Sequence, residues 1–194
     1  MQLTTALLSL FAASALAAPT NGSSCTAPTR KFTIMSLRSA SPIHFAKAGA
    51  HENKLALNLP QDKLDAQCAD GNSRADATFY IKDSELYLYG PKDKVQQVFV
   101  DRSGMGQGVL QYFNKGETNP PSKAELKGWA VDANDNLTFN GSGLLACPST
   151  TDSSWYIWVS VGVDKPAGQE GCVGFSARTV TNANPVKCTY STHA

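Results

Sequence analysis

The stretch WYIWVSV, residues 155–161, decides the fold class of this chain. It is built from aromatic and β-branched residues, which are enriched in strands because they pack well on a pleated, half-buried surface. Side chains alternate between the two faces of a strand, so Trp155 and Ile157 share one face and Tyr156 and Trp158 share the other. One of these faces must belong to a hydrophobic core, and the segment therefore predicts a strand packed on that core.

Strand patterns recur on both sides of this segment. The other predicted strands are residues 31–37, 78–81, 85–89, 95–100, 109–112, 129–131, 137–139 and 172–180. Residues 82–84 and 132–136 have the composition of hairpin turns, the second because Asn and Asp tolerate left-handed backbone. Helical patterns are short and confined to residues 61–68 and 123–127. The spacing of turns predicts an all-β fold, either an antiparallel β-sandwich or a β-barrel, with short helical turns.

The first residues predict a secretory signal peptide. Residues 1–17 read MQLTTALLSLFAASALA, and their apolar stretch at 6–13 is shorter than the roughly 20 residues that span a bilayer. They end in Ala15-Leu16-Ala17, the small-x-small pattern that signal peptidase accepts. We therefore expect secretion, with no membrane anchor. Residues 18–194 are expected to form a single β-rich domain, since no linker divides them clearly.

Charge and composition exclude one class of partner. The 194 residues contain 17 Lys+Arg and 16 Asp+Glu, a formal net charge of +1. Nucleic-acid binders carry a strongly basic footprint, so no nucleic-acid partner is predicted. Charged residues make up 17% of the chain, below the roughly 25% of an average soluble domain. Ser, Thr, Asn, Gln and Gly replace them, which suits a protein outside the cytosol.

Secretion determines how the cysteines are interpreted. The disulfide candidates are Cys25, Cys68, Cys147, Cys172 and Cys188. None lies in a CxxC motif, so a zinc site is not predicted. Spacing suggests a bridge between Cys25 and Cys68, and a second bridge between two of the three C-terminal cysteines. The odd thiol is then either buried or bonded to another molecule.

No catalytic constellation emerges from the sequence. His44 and His51 share a polar segment, but no G-x-S-x-G or H-E-x-x-H motif accompanies them. Asp101 ends an apolar strand beside Arg102, and a strand-end ion pair is favoured over a catalytic role as the explanation. We therefore predict no catalytic residue, no cofactor site and no metal site.

Two sets of residues are candidates for contact with sugars. Asn21, Asn136 and Asn140 begin N-x-S/T sequons, the acceptor sites for N-glycosylation in a secreted chain. Asn136 lies in a predicted turn and is the best candidate of the three. The face of Tyr156 and Trp158 is either an exposed platform on which sugars stack or a surface covered by a second layer, and we favour coverage.

Several longer stretches carry a resemblance. They are residues 31–45 (KFTIMSLRSASPIHF), 77–88 (ATFYIKDSELYL), 97–108 (QVFVDRSGMGQG), 128–158 (GWAVDANDNLTFNGSGLLACPSTTDSSWYIW) and 171–190. In these the chain resembles the fungal cell wall protein phiA family. The resemblance implies a secreted wall protein with a role in the development of phialides and conidia, relatives known as allergens, and no catalytic residues. More faintly, residues 137–147 and 155–158 with Cys188 resemble the C-terminal domain of yeast Pir-type wall mannoproteins.

The sequence thus leaves three functional hypotheses. The leading one is a noncatalytic structural or developmental component of the fungal cell wall. It would be retained by glucan or chitin, or by other wall proteins, and the odd cysteine is a candidate for an intermolecular disulfide. The second is a secreted carbohydrate-binding module that uses Tyr156 and Trp158, and the third is a small secreted hydrolase.

Overall fold

Antiparallel strands account for most of the regular structure in residues 29–193, the part of the chain that this computed structural model describes. The strands are β1 Lys31–Leu37, β2 Ala48–His51, β3 Lys54–Leu57, β4 Gln67–Cys68, β5 Phe79–Lys82, β6 Glu85–Leu88, β7 Val95–Asp101, β8 Val109–Lys115, β9 Trp129–Val131, β10 Leu137–Phe139, β11 Leu144–Pro148, β12 Trp155–Val159, β13 Val173–Thr181 and β14 Cys188–Thr189. Short 3-10 helices lie at Gln61–Lys63 and Pro166–Gly168. The predicted all-β fold is confirmed, whereas the predicted signal peptide, Asn21 and Cys25 lie outside the described residues. No helix within residues 29–193 is long and apolar enough to cross a membrane.

The strand pairings form a closed ring. The largest sheet runs in the order β11-β13-β1-β5-β6-β7-β8-β12, and β11 also pairs with β12. Eight antiparallel strands therefore return to their starting point, which makes the architecture a barrel rather than a sandwich. Closure removes the exposed edges along which open sheets aggregate.

The strand β12 occupies the position that its sequence predicts. Ile157 and Val159 are buried in the core, with Trp155 packed against it. Along one side β12 pairs with β11. Along the other side Trp158 pairs with Val109 of β8, whereas the beginning of β12 pairs with β3, which fills the space where β8 and β12 diverge.

The interior is filled by the apolar residues of these alternating patterns. The largest side chains with less than 2% exposure include Trp129, Tyr112, Phe79, Phe139, Ile34 and Leu86. Full burial of such side chains stabilises the fold by about 1.5–3 kcal/mol each. Trp129 and Phe139 come from the β9–β10 hairpin and meet edge to face, with ring centroids 5.0 Å apart.

A two-residue turn sets the register of the β5–β6 hairpin. Asp83 and Ser84 have φ angles of +53° and +62°. Left-handed backbone at both central positions matches the right-handed twist of the flanking strands, which is why such turns are favoured in hairpins. The predicted hairpin is therefore present, with Lys82 paired to Glu85 across its end.

The helical prediction for residues 123–127 is wrong. Residues 124–127 are extended and run beside β7 and β6, with bridges from Glu125 to Val100 and from Lys127 to Glu85. Backbone hydrogen bonds of 2.7 and 3.0 Å join Glu125 and Val100. These tertiary bonds outweigh the weak helical propensity of a five-residue segment. In the other predicted helix, residues 61–68, only the 3-10 turn at Gln61–Lys63 is helical.

Two disulfides join neighbouring strands. Cys147 pairs with Cys172, which is one of the pairings predicted among the three C-terminal cysteines. Cys68 pairs with Cys188, 120 residues away, so the suggested Cys25–Cys68 bridge is wrong. The reason is topological, because β4 and β14 form a small sheet in which Cys68 and Cys188 lie directly opposite each other. Closeness in sequence had no bearing on this pairing.

The two bridges differ in the length of chain that they close, 120 residues against 25. In the loop-entropy model, removing Cys68–Cys188 lowers the free energy of unfolding by about 5 kcal/mol, and removing Cys147–Cys172 lowers it by about 3.5 kcal/mol. Urea unfolding of the oxidised protein and of the two double Cys→Ala variants, followed by tryptophan fluorescence, measures both. A larger loss for Cys147–Cys172 would contradict this ranking.

Candidate functional site

A groove of about 220 Å³ lies on the outside of the barrel beside β12. Tyr156 and Trp158 line it from β12, and Lys54 lines it from β3. The residues after β11, 149–151, contribute hydroxyl groups along one wall, and Gln169 contributes an amide. We call this the Tyr156 groove. It combines an aromatic ring, hydroxyls, an amide and an ammonium group, a set that suits a ligand rich in hydroxyl groups.

The two aromatic side chains of the groove differ in exposure. Trp158 is 9% exposed, because it packs between its cross-strand neighbours Leu145 and Val109. Tyr156 is only half-buried. Trp158 is thus buried by neighbours on the same sheet rather than by a second layer, while Tyr156 is only partly covered.

Charged groups fix the surroundings of Tyr156. The Nζ atom of Lys54 lies 4.9 Å from the centroid of the Tyr156 ring, within the range of a cation–π contact. Lys63 donates to Asp152 over 2.5 Å, and the backbone N–H of Ser154 donates to the same carboxylate over 2.8 Å. The Lys63 hydrogen bond and those from Ser154 lower the pKa of Asp152 below its ordinary value. This anchored ion pair holds the start of β12 against the 3-10 turn at Gln61–Lys63.

A second cluster was not predicted from the sequence. The Nδ1 atom of His51 lies 2.9 Å from Asp65 and 3.5 Å from the hydroxyl of Ser191. Its Nε2 atom faces Glu52 at 3.6 Å. In a serine triad the acid and the nucleophile occupy opposite ring nitrogens, whereas here both approach the same one. The cluster therefore lacks the geometry that activates a serine, and separations of 14 and 140 residues hid it from sequence patterns.

The remaining residues considered for catalysis have structural contacts. His44 accepts a hydrogen bond from the backbone N–H of Arg38 at 3.1 Å. Asp101 does not pair with Arg102 as expected; its carboxylate accepts the N–H of Ser103 at 2.9 Å and so orders the loop before β8. Arg102 instead forms two hydrogen bonds to Glu125, of 2.9 and 2.6 Å.

The two sequons within the described residues differ in geometry. Asn140 is exposed and has a left-handed φ of +47° in the turn after β10. The amide oxygen of Asn136 is buried without a hydrogen-bond partner, and its Nδ2 is directed at Asp132 over 3.4 Å. A glycan needs its Nδ2 in solvent, so the geometry favours Asn140 over Asn136, the reverse of the expected order.

Fold and site together define a class: a disulfide-bonded, all-β barrel protein with a polar and aromatic groove on its outer surface. Residues 32–191 match the PhiA-like secreted protein family, and the chain belongs to that family. The cell wall protein phiA of Emericella nidulans is 41% identical over 98% of this chain and 100% of its own length. Those of Aspergillus fumigatus and Arthroderma benhamiae are 39% and 38% identical, over 94% and 86% of this chain and 97% and 90% of their own lengths. No solved structure matches the chain. The resemblance to the phiA family is thus confirmed, and the chain is a secreted cell wall protein.

The ion pair beside the groove predicts acid sensitivity. The folded-state pKa of Asp152 lies below the ordinary value of 3.8, so its contribution to stability is present at neutral pH and is lost as the pH falls below about 4. Asp152→Asn is expected to lower the free energy of unfolding at pH 7 by about 1.5–3 kcal/mol. The free energy of unfolding of the variant should also decrease less steeply than that of the unsubstituted protein as the pH is lowered. Urea unfolding at a series of pH values measures both effects.

The matched control is Asp164→Asn, which removes the same charge from an exposed position. It should leave both the stability at pH 7 and the acid slope close to those of the unsubstituted protein. If the free energy of unfolding depends on pH equally steeply in Asp152→Asn and in the unsubstituted protein, the role assigned to this carboxylate is contradicted.

Proposed function

We propose that this protein is a noncatalytic structural component of the fungal cell wall that contributes to the formation of phialides and conidia. Its retention depends on contacts between the Tyr156 groove and wall polysaccharide, either glucan or chitin. The observation that carries the proposal is the half-buried Tyr156 side chain, which lines the groove among hydroxyls and the ammonium group of Lys54. Sugars place their apolar faces on such rings and their hydroxyls on such polar groups. The relatives are named cell wall proteins, which supports the location in the wall.

The construction of the chain suits this setting. Under the proposal, residues 1–17 are removed on secretion and residues 18–194 form the mature domain. A closed ring of strands with two disulfides resists local opening outside the cell, where chaperones are absent. The two bridges use four of the five cysteines, so a covalent link to another wall protein would involve Cys25.

Tyr156→Ala tests retention in the wall. The variant removes the ring but leaves the buried Trp158 in place, so we expect the barrel to remain folded and the protein to move from washed walls into the medium. Sporulating cultures are separated into medium, detergent wash, detergent-plus-reductant extract and glucanase digest, and the protein is quantified in each. Release by reductant alone would assign attachment to Cys25, and Cys25→Ser should then abolish it.

The control for this experiment is Phe45→Ala. Phe45 is an aromatic residue with 60% exposure in the loop after β1, outside the groove. The Phe45→Ala substitution should not change how the protein is distributed among the four fractions. If Tyr156→Ala and Phe45→Ala both leave the protein in the wall, the groove does not retain it, and recovery of the unsubstituted protein only from the medium would contradict a structural role.

A carbohydrate-binding module is the second candidate function, and Trp158 beside Tyr156 favours it. Binding in the groove would change the surroundings of a tryptophan that is otherwise almost fully buried. Addition of glucan or chitin oligosaccharides should then shift the tryptophan emission, and Tyr156→Ala should abolish the shift. A binding module would bind isolated oligosaccharides and would be recovered from the medium as well as from walls.

N-glycosylation at Asn140 belongs to the same proposal. Asn140→Gln is expected to remove most of the mass that an N-glycosidase releases from the secreted protein, whereas Asn136→Gln leaves that mass unchanged, because only Asn140 has an exposed side chain of the two. Mass spectrometry of the protein before and after deglycosylation measures the difference. A glycan found on Asn136 alone would contradict the assignment.

A further inference from the structure

A second groove, of about 360 Å³, lies on the outside of the barrel near β5 and β6. Four lysines line it: Lys31, Lys92, Lys94 and Lys187. Two tyrosines, Tyr80 and Tyr89, form its aromatic surface. We call it the lysine groove. Its volume is within the range of ligand pockets.

The lysine groove concentrates positive charge in a chain that is almost neutral. The formal net charge is +1, yet four lysines and no carboxylate line this one surface. Within residues 29–193, none of the four forms an ion pair with an acidic side chain. Asp93 lies in the same turn but does not line the groove. Lysines brought together without counter-charges repel one another, so an anionic ligand is favoured there.

The fold holds these lysines together from distant parts of the chain. Lys92 and Lys94 lie in the turn between β6 and β7, while Lys187 precedes the bridged Cys188. The N–H of Cys188 donates to the carbonyl of Tyr89 at 3.1 Å, which fixes the C-terminal segment against this turn. The approach is so close that a Cβ atom on Gly90 would lie 2.9 Å from the carbonyl oxygen of Cys188.

The tyrosines indicate what kind of anion fits. Tyr80 is half-buried and stacks on its cross-strand neighbour Tyr87, with centroids 5.2 Å apart and planes 13° from parallel, which holds its ring in place. The Nζ atom of Lys31 lies 5.7 Å from the centroid of Tyr89. Fixed aromatic rings beside ammonium groups suit a sugar ring that carries an acidic group, because the ring packs on the aromatic surface and the acid meets the lysines.

We propose that the lysine groove binds anionic polysaccharide, a chain of sugars bearing phosphate or carboxylate groups. The site is separate from the Tyr156 groove and does not depend on the function proposed for it. A groove with an aromatic surface is more selective than the flat basic patch that the backbone of duplex DNA or an anionic membrane needs.

Binding is tested on the mature secreted protein with three probes of similar length: a phosphorylated mannan oligosaccharide, an oligogalacturonate and a neutral β-glucan oligosaccharide. Calorimetric titration should show that the anionic probes bind and the neutral one does not. The affinity should fall on the order of tenfold between about 50 and 200 mM salt, because screening weakens exposed charge contacts. A preference for the phosphorylated or the carboxylated probe identifies the source of the charge, and either supports the proposal.

Matched variants separate this groove from general surface charge. The triple variant Lys92→Gln, Lys94→Gln, Lys187→Gln should weaken binding of the anionic probes by about tenfold. The control triple Lys123→Gln, Lys127→Gln, Lys165→Gln removes the same charge from exposed positions outside the groove and should change it by less than about twofold. Unchanged thermal unfolding confirms that both variants fold.

Three results would overturn the proposal: equal binding of the neutral probe, equal weakening by the two triples, or tighter binding of duplex DNA or of phosphatidylserine vesicles than of either anionic sugar. Tyr156→Ala should leave binding of the anionic probes intact, because Tyr156 does not line the lysine groove. Loss of wall retention without loss of anion binding then separates the two grooves.

Discussion

The barrel closes between β8 and β12, and this closure determines where β3 and the Tyr156 groove lie. These strands meet at one residue pair, Trp158 with Val109, and at a backbone hydrogen bond of 2.8 Å from the N–H of Val159 to the carbonyl of Gly108. Gly108 has a φ of +93°, and a Cβ atom there would clash with the carbonyl of Val159. The contact thus requires glycine. Because the strands diverge beyond it, β3 can enter the gap, and the Tyr156 groove forms where the three strands meet.

Local patterns predicted most of the strands, because alternation and β-branched residues act over a few positions. The alternation of buried and half-buried residues along β1 follows directly from residues 31–37, whereas residues 155–159 predicted a strand on the core without deciding between its two faces. What local patterns could not supply is anything that depends on ring closure: the barrel itself, the pairing of Cys68 with Cys188, and the extended path of residues 124–127. Each of these depends on a neighbour far away in the sequence.

The site was predicted unevenly for the same reason. Tyr156 and Trp158 were identified because both lie on one strand, but which ring remains exposed depends on Leu145 and Val109, which come from two other strands. The cluster around His51 and the lysine groove are assembled from segments that share no motif. A net charge of +1 gave no hint of the lysine groove, because a total says nothing about how charges are distributed over a surface.

The C-terminal segment has a consequence for biosynthesis. Cys188 carries half of a bridge, Tyr190 exchanges two hydrogen bonds with Gln96, and Tyr112 donates to the carbonyl of Ser191, so residues 188–191 are built into the wall of the barrel. At the usual speed of protein synthesis, Cys68 is made roughly 6 to 24 seconds before its partner. During that interval the thiol of Cys68 has no access to its final partner. Cys68 therefore reaches Cys188 either as a free thiol or by exchange from an earlier bridge.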